Sequence, residues 1–196
     1  MQTTPDELIN DAEKSHAARA AVVATGDIEF HEEFRKACER NACGRYDTNW
    51  MGPPAIGPIG DLEKKVRSFR RGLLFQTVHP ISDPFDMEGM LAGMRVHEQV
   101  LRAIFAKMAD DRQIREMLPL HAGCCKICPR CAYLDHEPCR HPDLALSSME
   151  AYGIDVMALA RKFDMPYNNG KDTVSFFGLI LFDDGEARKA DPQVVH

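Results

Sequence analysis

The stretch TVSFFGLILF, residues 173–182, is the clearest strand signal in the chain. An apolar run of this length, rich in aromatic and β-branched side chains, predicts a strand buried inside a sheet. A similar run, GLLFQTVHPI at 72–81, predicts a second strand whose hydrogen-bond ladder ends at Pro80. Shorter apolar segments at 18–30 and 115–123 predict further strands. Strand signals therefore occur along the whole chain.

Helical patterns lie between these strands. The segment 83–111 repeats apolar side chains at helical spacing and is the strongest helix prediction. Asp27 and Asp61 are each predicted to cap a helix, and Ser147 with Glu150 three residues later matches a capping box. Alternating strands and helices predict an α+β fold, with a mostly antiparallel sheet of about four to five strands, packed helices and an irregular cysteine-rich loop.

Length and composition predict the domain organisation and location. With 196 residues the chain can bury a core, and we predict a single domain over 1–196, with polar tails at 1–16 and 184–196. The net charge of −6 argues against a nucleic-acid binder. No secretory signal or apolar run of roughly 20 residues is present, so we expect a cytoplasmic protein without a membrane partner.

The segment HAGCCKICPRCAYLDHEPCRHP, residues 121–142, contains five of the seven cysteines. Cys125, Cys128 and Cys131 form a C-x2-C-x2-C motif, and Cys139 follows eight residues later. Each of the four irons of a cubane cluster takes one thiolate, so a loop with a cysteine at every third position suits three corners and a distant cysteine the fourth. The spacing therefore favours a [4Fe–4S] cluster.

Other interpretations of this segment remain open from the spacing alone. A structural zinc usually binds two cysteine pairs separated by a longer spacer, and three consecutive C-x2-C steps crowd a single ion. The thiols could also be metal-free and structural. Cys124 is a surplus member that could replace Cys125 as the first ligand.

Several residues outside this motif are secondary candidates. Cys38 and Cys43 form a C-x4-C pair, compatible with a second metal or with a contribution to the same cluster. His121, His136 and His141 are possible ligands or hydrogen-bond donors to sulfur. The remaining candidates are expected to have structural roles. Arg140 is expected to be solvated, His79 and His97 to be structural histidines, and Glu150 to cap a helix. Trp50 and Tyr46 are expected to form the wall of a pocket or to shield a cluster from water.

Two segments of the chain resemble a known family. CERNACGRYDTNWMGPPAIG (38–57) and AGCCKICPRCAYLDHEPCRHPDLALSSMEAYGIDV (122–156) are similar to a prokaryotic family of predicted metal-binding proteins that is common in anaerobes. The resemblance covers residues 18–182. It implies that the C-terminal cysteines bind metal, as an iron–sulfur cluster, and it selects Cys125 over Cys124 as the first ligand.

The chain departs from this family at one position. The family's upstream motif has Trp-x-Cys-Pro-Pro, whereas this chain has Trp50-Met51-Gly52-Pro53-Pro54. Glycine offers no ligand, so a second site at Cys38 and Cys43 is expected to be degenerate here, or to be completed by Cys124.

These observations lead to one functional expectation and two alternatives. We expect an iron–sulfur protein, with a [4Fe–4S] cluster on Cys125, Cys128, Cys131 and Cys139, that serves electron transfer or redox maintenance of a partner enzyme in anaerobic metabolism. A redox partner protein and a homo-oligomer are compatible with this role. The alternatives are a non-redox zinc or metal-delivery module, and an enzyme whose cluster iron binds substrate.

Overall fold

The computed structural model of the protein describes residues 4–183. The helices within this range are α1 (Pro5–Lys14), α2 (Glu32–Glu39), α3 (Ile59–Ser68), α4 (Met87–Ala109) and α5 (Val156–Lys162). The strands are β1 (Arg19–Ala24), β2 (Arg71–Pro80), β3 (Glu116–His121), β4 (Ser147–Ser148) and β5 (Thr173–Asp183).

The strands form one sheet in the order β1-β2-β5-β3-β4. The pairs β1/β2, β2/β5 and β5/β3 are antiparallel, and only the short β3/β4 pair is parallel. β5, the strand predicted from TVSFFGLILF, occupies the centre of the sheet. The α+β prediction, with a mostly antiparallel sheet, is confirmed.

Both faces of the sheet carry a hydrophobic core. Side chains alternate along β5, so Leu179 and Leu181 join the core cluster that includes residues of α3 and α5. Ile180 and Phe182 join the opposite cluster, which includes residues of α1 and α4. Helices on both faces explain why β5 has no polar side chain between Phe176 and Phe182.

The beginning of the chain differs from its prediction as a polar tail. α1 lies within 1–16, and its Leu8 and Ala12 are buried in the core beside α4. A capping box between Thr4 and Glu7 starts this helix. Pro5–Lys14 therefore belongs to the fold, while the predicted tail at 184–196 lies outside the described residues.

Two helices begin at residues other than the predicted caps, Asp27 and Asp61. Asp27 ends a 3-10 turn, Thr25–Asp27, and α2 begins only after His31. Asp61 lies in the first turn of α3 and not at its cap, because the helix already begins after Pro58.

The capping box predicted at Ser147 and Glu150 is wrong. Ser147 is in β4, where the chain pairs with the end of β3, and Glu150 begins a 3-10 turn. α5 starts later, after Asp155, whose side-chain oxygen accepts a hydrogen bond of 2.8 Å from the backbone N–H of Ala158. The Glu150 carboxylate is therefore not a capping group.

None of the helices in residues 4–183 combines the length and the apolar character needed to cross a lipid bilayer.

Candidate metal centre

The cysteine motif lies in an irregular loop between β3 and β4, residues 122–146, here called the cysteine loop. β3 and β4 pair side by side, so the loop leaves and re-enters the sheet at one edge. Gly123 opens the loop with a φ of +77°, a conformation that side chains other than glycine rarely adopt. A Cβ at this position would lie 3.3 Å from Cε of Met94, so α4 packs directly on the loop backbone.

The four predicted ligands surround one small, largely closed cavity, here called the thiol cavity. The cysteines that line it are Cys125, Cys128, Cys131 and Cys139. Its remaining wall is mostly apolar, formed by Trp50, Met51, Ile127 and Ala145 together with Asn49 and His141. All four cysteines are partly buried free thiols. The structure thus brings together the ligand set that the spacing and the resemblance indicated.

A second segment, residues 43–58, lies against this cavity and is here called the cover loop. The indole N–H of Trp50 donates a 2.9 Å hydrogen bond to the carbonyl of Glu137 in the cysteine loop. Its ring meets that of Tyr133 edge to face, with centroids 5.0 Å apart. The Tyr133 hydroxyl in turn donates to Asp47. These contacts join the two loops above the sulfurs.

The donor set fits a thiophilic metal centre. Burial raises the pKa of the Cys125 thiol, and the backbone N–H groups of Ile127 and Leu146 oppose this shift because they favour the thiolate. Metal binding replaces the thiol proton, and N–H groups aimed at sulfur stabilise the bound thiolate. Among residues 4–183, no three His, Cys, Asp or Glu side chains stand in the arrangement that holds a single metal ion.

Comparison with known proteins agrees with this geometry. The family model described as "Predicted metal-binding protein (DUF2284)" matches residues 21–182, which is most of the chain. The chain belongs to this family of predicted metal-binding proteins. No curated protein and no solved structure shows significant similarity to it.

The surplus and upstream cysteines of this family member occupy a different place. Cys38, Cys43 and Cys124 all line a second cavity of about 590 Å³, here called the second cavity. Gly52 and Glu150 lie on its wall as well. The structure therefore separates Cys124 from the four cysteines of the thiol cavity and places it beside the upstream pair.

Glu150 is the functional candidate that sequence reasoning missed. Its side chain is exposed and borders the second cavity and two further ones. The crowded protein surroundings raise the pKa of this carboxyl, and the Ser148 hydroxyl opposes the shift. The sequence signal for the N-cap of α5 was Asp155, which directly precedes the run VMALARK. Because Asp155 caps this helix, Glu150 has no capping role.

The histidines differ in their relation to the thiol cavity. His141 is an exposed member of its wall, whereas His136 is exposed in a left-handed turn and does not line the cavity. His121 is only 3% exposed at the end of β3, and neither ring nitrogen has a partner in hydrogen-bonding geometry. Burial lowers the pKa of His121, and the nearby Glu98 carboxylate opposes that shift.

Three further candidates, Arg140, His79 and His97, make structural contacts and do not line the thiol cavity. The guanidinium of Arg140 donates to the carbonyl of Arg130 at 3.2 Å and lies 3.7 Å from the carboxylate of Glu137. His97 shares a 2.9 Å hydrogen bond with the hydroxyl of Thr77, which also bonds His79 at 2.9 Å. Tyr46, expected to join Trp50 at one wall, lines the second cavity.

Proposed function

We propose that the protein carries one [4Fe–4S] cluster on Cys125, Cys128, Cys131 and Cys139 and serves as an electron carrier. The observation that supports this proposal most directly is that these four thiols border one small, mostly apolar cavity that Trp50 also lines. A bound cluster would supply one-electron redox chemistry there. We further propose that its partner is an enzyme of anaerobic metabolism, met in the cytoplasm.

The arrangement of the donors supports a cluster over a single zinc ion. A tetrahedral zinc needs four ligand atoms about 2.0–2.3 Å from one point. The four cysteines border one cavity. Their spacing, with three cysteines at every third position and a fourth farther along the chain, suits a polynuclear centre with one thiolate at each metal corner.

The protein around the cavity performs three tasks in this proposal. Trp50 and Met51 exclude water from one side, which protects a cluster and tunes its potential through the local dielectric. The cysteine loop remains at the surface, where Leu134 and Leu144 are 41% and 50% exposed. Exposed apolar side chains beside a redox centre suit a transient contact with a partner protein.

Anaerobic purification with iron, acid-labile sulfide and zinc analysis tests the proposal. We expect a brown protein that bleaches on reduction and gives an electron paramagnetic resonance signal, with the iron lost at this site in a Cys128→Ser/Cys131→Ser variant. His136→Asn, in the same loop but outside the cavity, is the matched control and should keep the iron. A colourless protein with one zinc per chain that the double variant loses would contradict the cluster and support a zinc module.

A further inference from the structure

We propose that the second cavity is a separate iron–sulfur site held by Cys38, Cys43 and Cys124, with one iron left open to a small carboxylate ligand. This site is distinct from the electron-carrying centre proposed above and does not depend on it. The three thiols come from two segments far apart in sequence, and the fold places them on one cavity wall.

Proximity and chemistry identify the donors as a set. Cys38, in the last turn of α2, and Cys43, shortly after that helix, line the same cavity. Cys124 reaches the same cavity because the chain turns at Gly123, against Met94 of α4. Free thiolates repel one another, but a cationic metal centre that all of them bind offsets this repulsion.

Three thiolates leave a cubane one ligand short. Each thiol would bind one iron as a thiolate and release its proton, so the fourth iron would have no cysteine ligand.

The rest of the cavity is built like a small-molecule site. Its volume of about 590 Å³ falls within the usual range for ligand pockets, roughly 300–1,000 Å³. Met87 and Leu91 of α4 form an apolar, partly exposed rim. Arg45 and Lys126 contribute cationic side chains to the wall, and cations favour an anionic ligand at the open iron. Glu150 supplies a carboxyl group on the same wall.

The two proposed centres would be neighbours. Asn49 and Met51 of the cover loop line the thiol cavity on one side and the second cavity on the other. Electrons held at the first centre would therefore lie within a short distance of a ligand at the second.

Iron counting separates the two sites. In the Cys128→Ser/Cys131→Ser variant, which lacks the first centre, we expect about four irons and four sulfides per chain to remain. Adding Cys124→Ala should remove them, and so should adding Cys43→Ser, an exposed position where the substitution leaves the core untouched. Met87→Leu, on the rim, is the matched control and should leave the iron count unchanged.

A glycine on the cavity wall provides a gain-of-ligand test. Gly52 has no positive φ, and an added Cβ would lie 3.1 Å from Nδ2 of Asn49, so a cysteine fits with a small shift of that side chain. In the first-site variant, citrate should alter the electron paramagnetic resonance spectrum of the reduced protein. Gly52→Cys should keep the iron but abolish the citrate effect, because the new thiolate fills the open position.

The outcomes that overturn this proposal differ from those that overturn the electron-carrier proposal. Absence of iron from the first-site variant, or iron that survives Cys124→Ala, would disprove a centre on these three thiols. An unchanged spectrum with citrate would disprove the open iron. Conversely, iron at the second cavity without iron at the thiol cavity would contradict the electron-carrier proposal and leave the second-cavity proposal intact.

Discussion

The ring of His97 lies between α4 and the sheet with no solvent exposure. It stacks on Phe75, with centroids 5.2 Å apart, and leans on Phe176. Burial lowers the pKa of His97 to about 3, and the nearby rings of His121 and His79 add to the shift because a second positive charge there would repel. His97 is therefore neutral in the folded protein at physiological pH.

This lowered pKa predicts an acid-sensitive stability. The unfolded chain binds a proton at His97 near pH 6.5 and the folded chain only near pH 3, so stability is full above pH 6.5 and falls as the pH drops between these values. Between pH 7 and pH 5, the free energy of unfolding should fall by about 2 kcal/mol more in the native protein than in His97→Leu. Urea unfolding under anaerobic conditions measures both.

A matched control isolates the buried histidine. His136 is exposed in the cysteine loop, and asparagine tolerates its left-handed backbone, so His136→Asn should retain the native pH slope. His121 and Glu150 also have shifted pKa values, but they are common to all three proteins and cancel in the comparison. Identical pH slopes for the native protein and His97→Leu would contradict the assignment.

At the scale of elements, local patterns predicted the strands better than the helix starts. The sequences of β2 and β5 are apolar because these strands are covered on both faces, and that signal is contained in the strand itself. The grouping of the cysteines was similarly visible, since C-x2-C-x2-C brings three thiols together within one loop. Spacing left Cys124 and Cys125 as alternatives for the first member of the group, and it did not indicate which elements surround them.

The start of α5 could not be predicted from its own sequence. Ser147 and Glu150 satisfy the capping-box pattern, yet Ser147 pairs with Leu120 at the end of β3. That pairing involves a strand on the far side of the cysteine loop, which no local pattern reports. Long-range pairing overrode a local preference, as it often does for short signals.

The cap that the structure assigns to α5 leads to an element-scale prediction. Asp155 accepts a hydrogen bond from Ala158 at 2.8 Å, and its carboxylate lies 3.7 Å from the imidazole of His31. Asp155→Ala should lower the free energy of unfolding by about 1 kcal/mol, because the N–H groups at the helix start lose their acceptor. Thermal unfolding followed by circular dichroism measures this change.

Asparagine at the same position is the matched control for the cap. Its side-chain oxygen can accept the same hydrogen bond, so Asp155→Asn should retain most of the stability. Equal losses in the alanine and asparagine variants would show that the negative charge beside His31, and not the cap, stabilises this region.

At the scale of the whole molecule, the two irregular loops depend on each other. The cover loop and the cysteine loop are separated by α3, β2, α4 and β3 in the chain, yet Trp50 and Tyr133 hold them together. The contact between the two loops is long-range, and no local sequence pattern reports it. The thiol cavity is consequently a product of tertiary structure and not of the cysteine motif alone.

This dependence predicts that the cover loop protects the proposed cluster without binding it. Trp50→Ala removes the indole that lines the thiol cavity, together with its 2.9 Å hydrogen bond to Glu137. Iron per chain after anaerobic purification should stay at the native value, because no ligand is lost. The visible absorption should bleach several-fold faster in air, since oxygen and water reach the sulfurs directly.

Phenylalanine distinguishes the two roles of the indole. Trp50→Phe loses the N–H donor but keeps an aromatic ring that can lie over the cavity and meet Tyr133, so its bleaching rate should stay close to that of the native protein. Native-like bleaching in Trp50→Ala would show that the ring is not the shield. Rapid bleaching in both variants would instead assign the protection to the hydrogen bond that ties the cover loop to the cysteine loop.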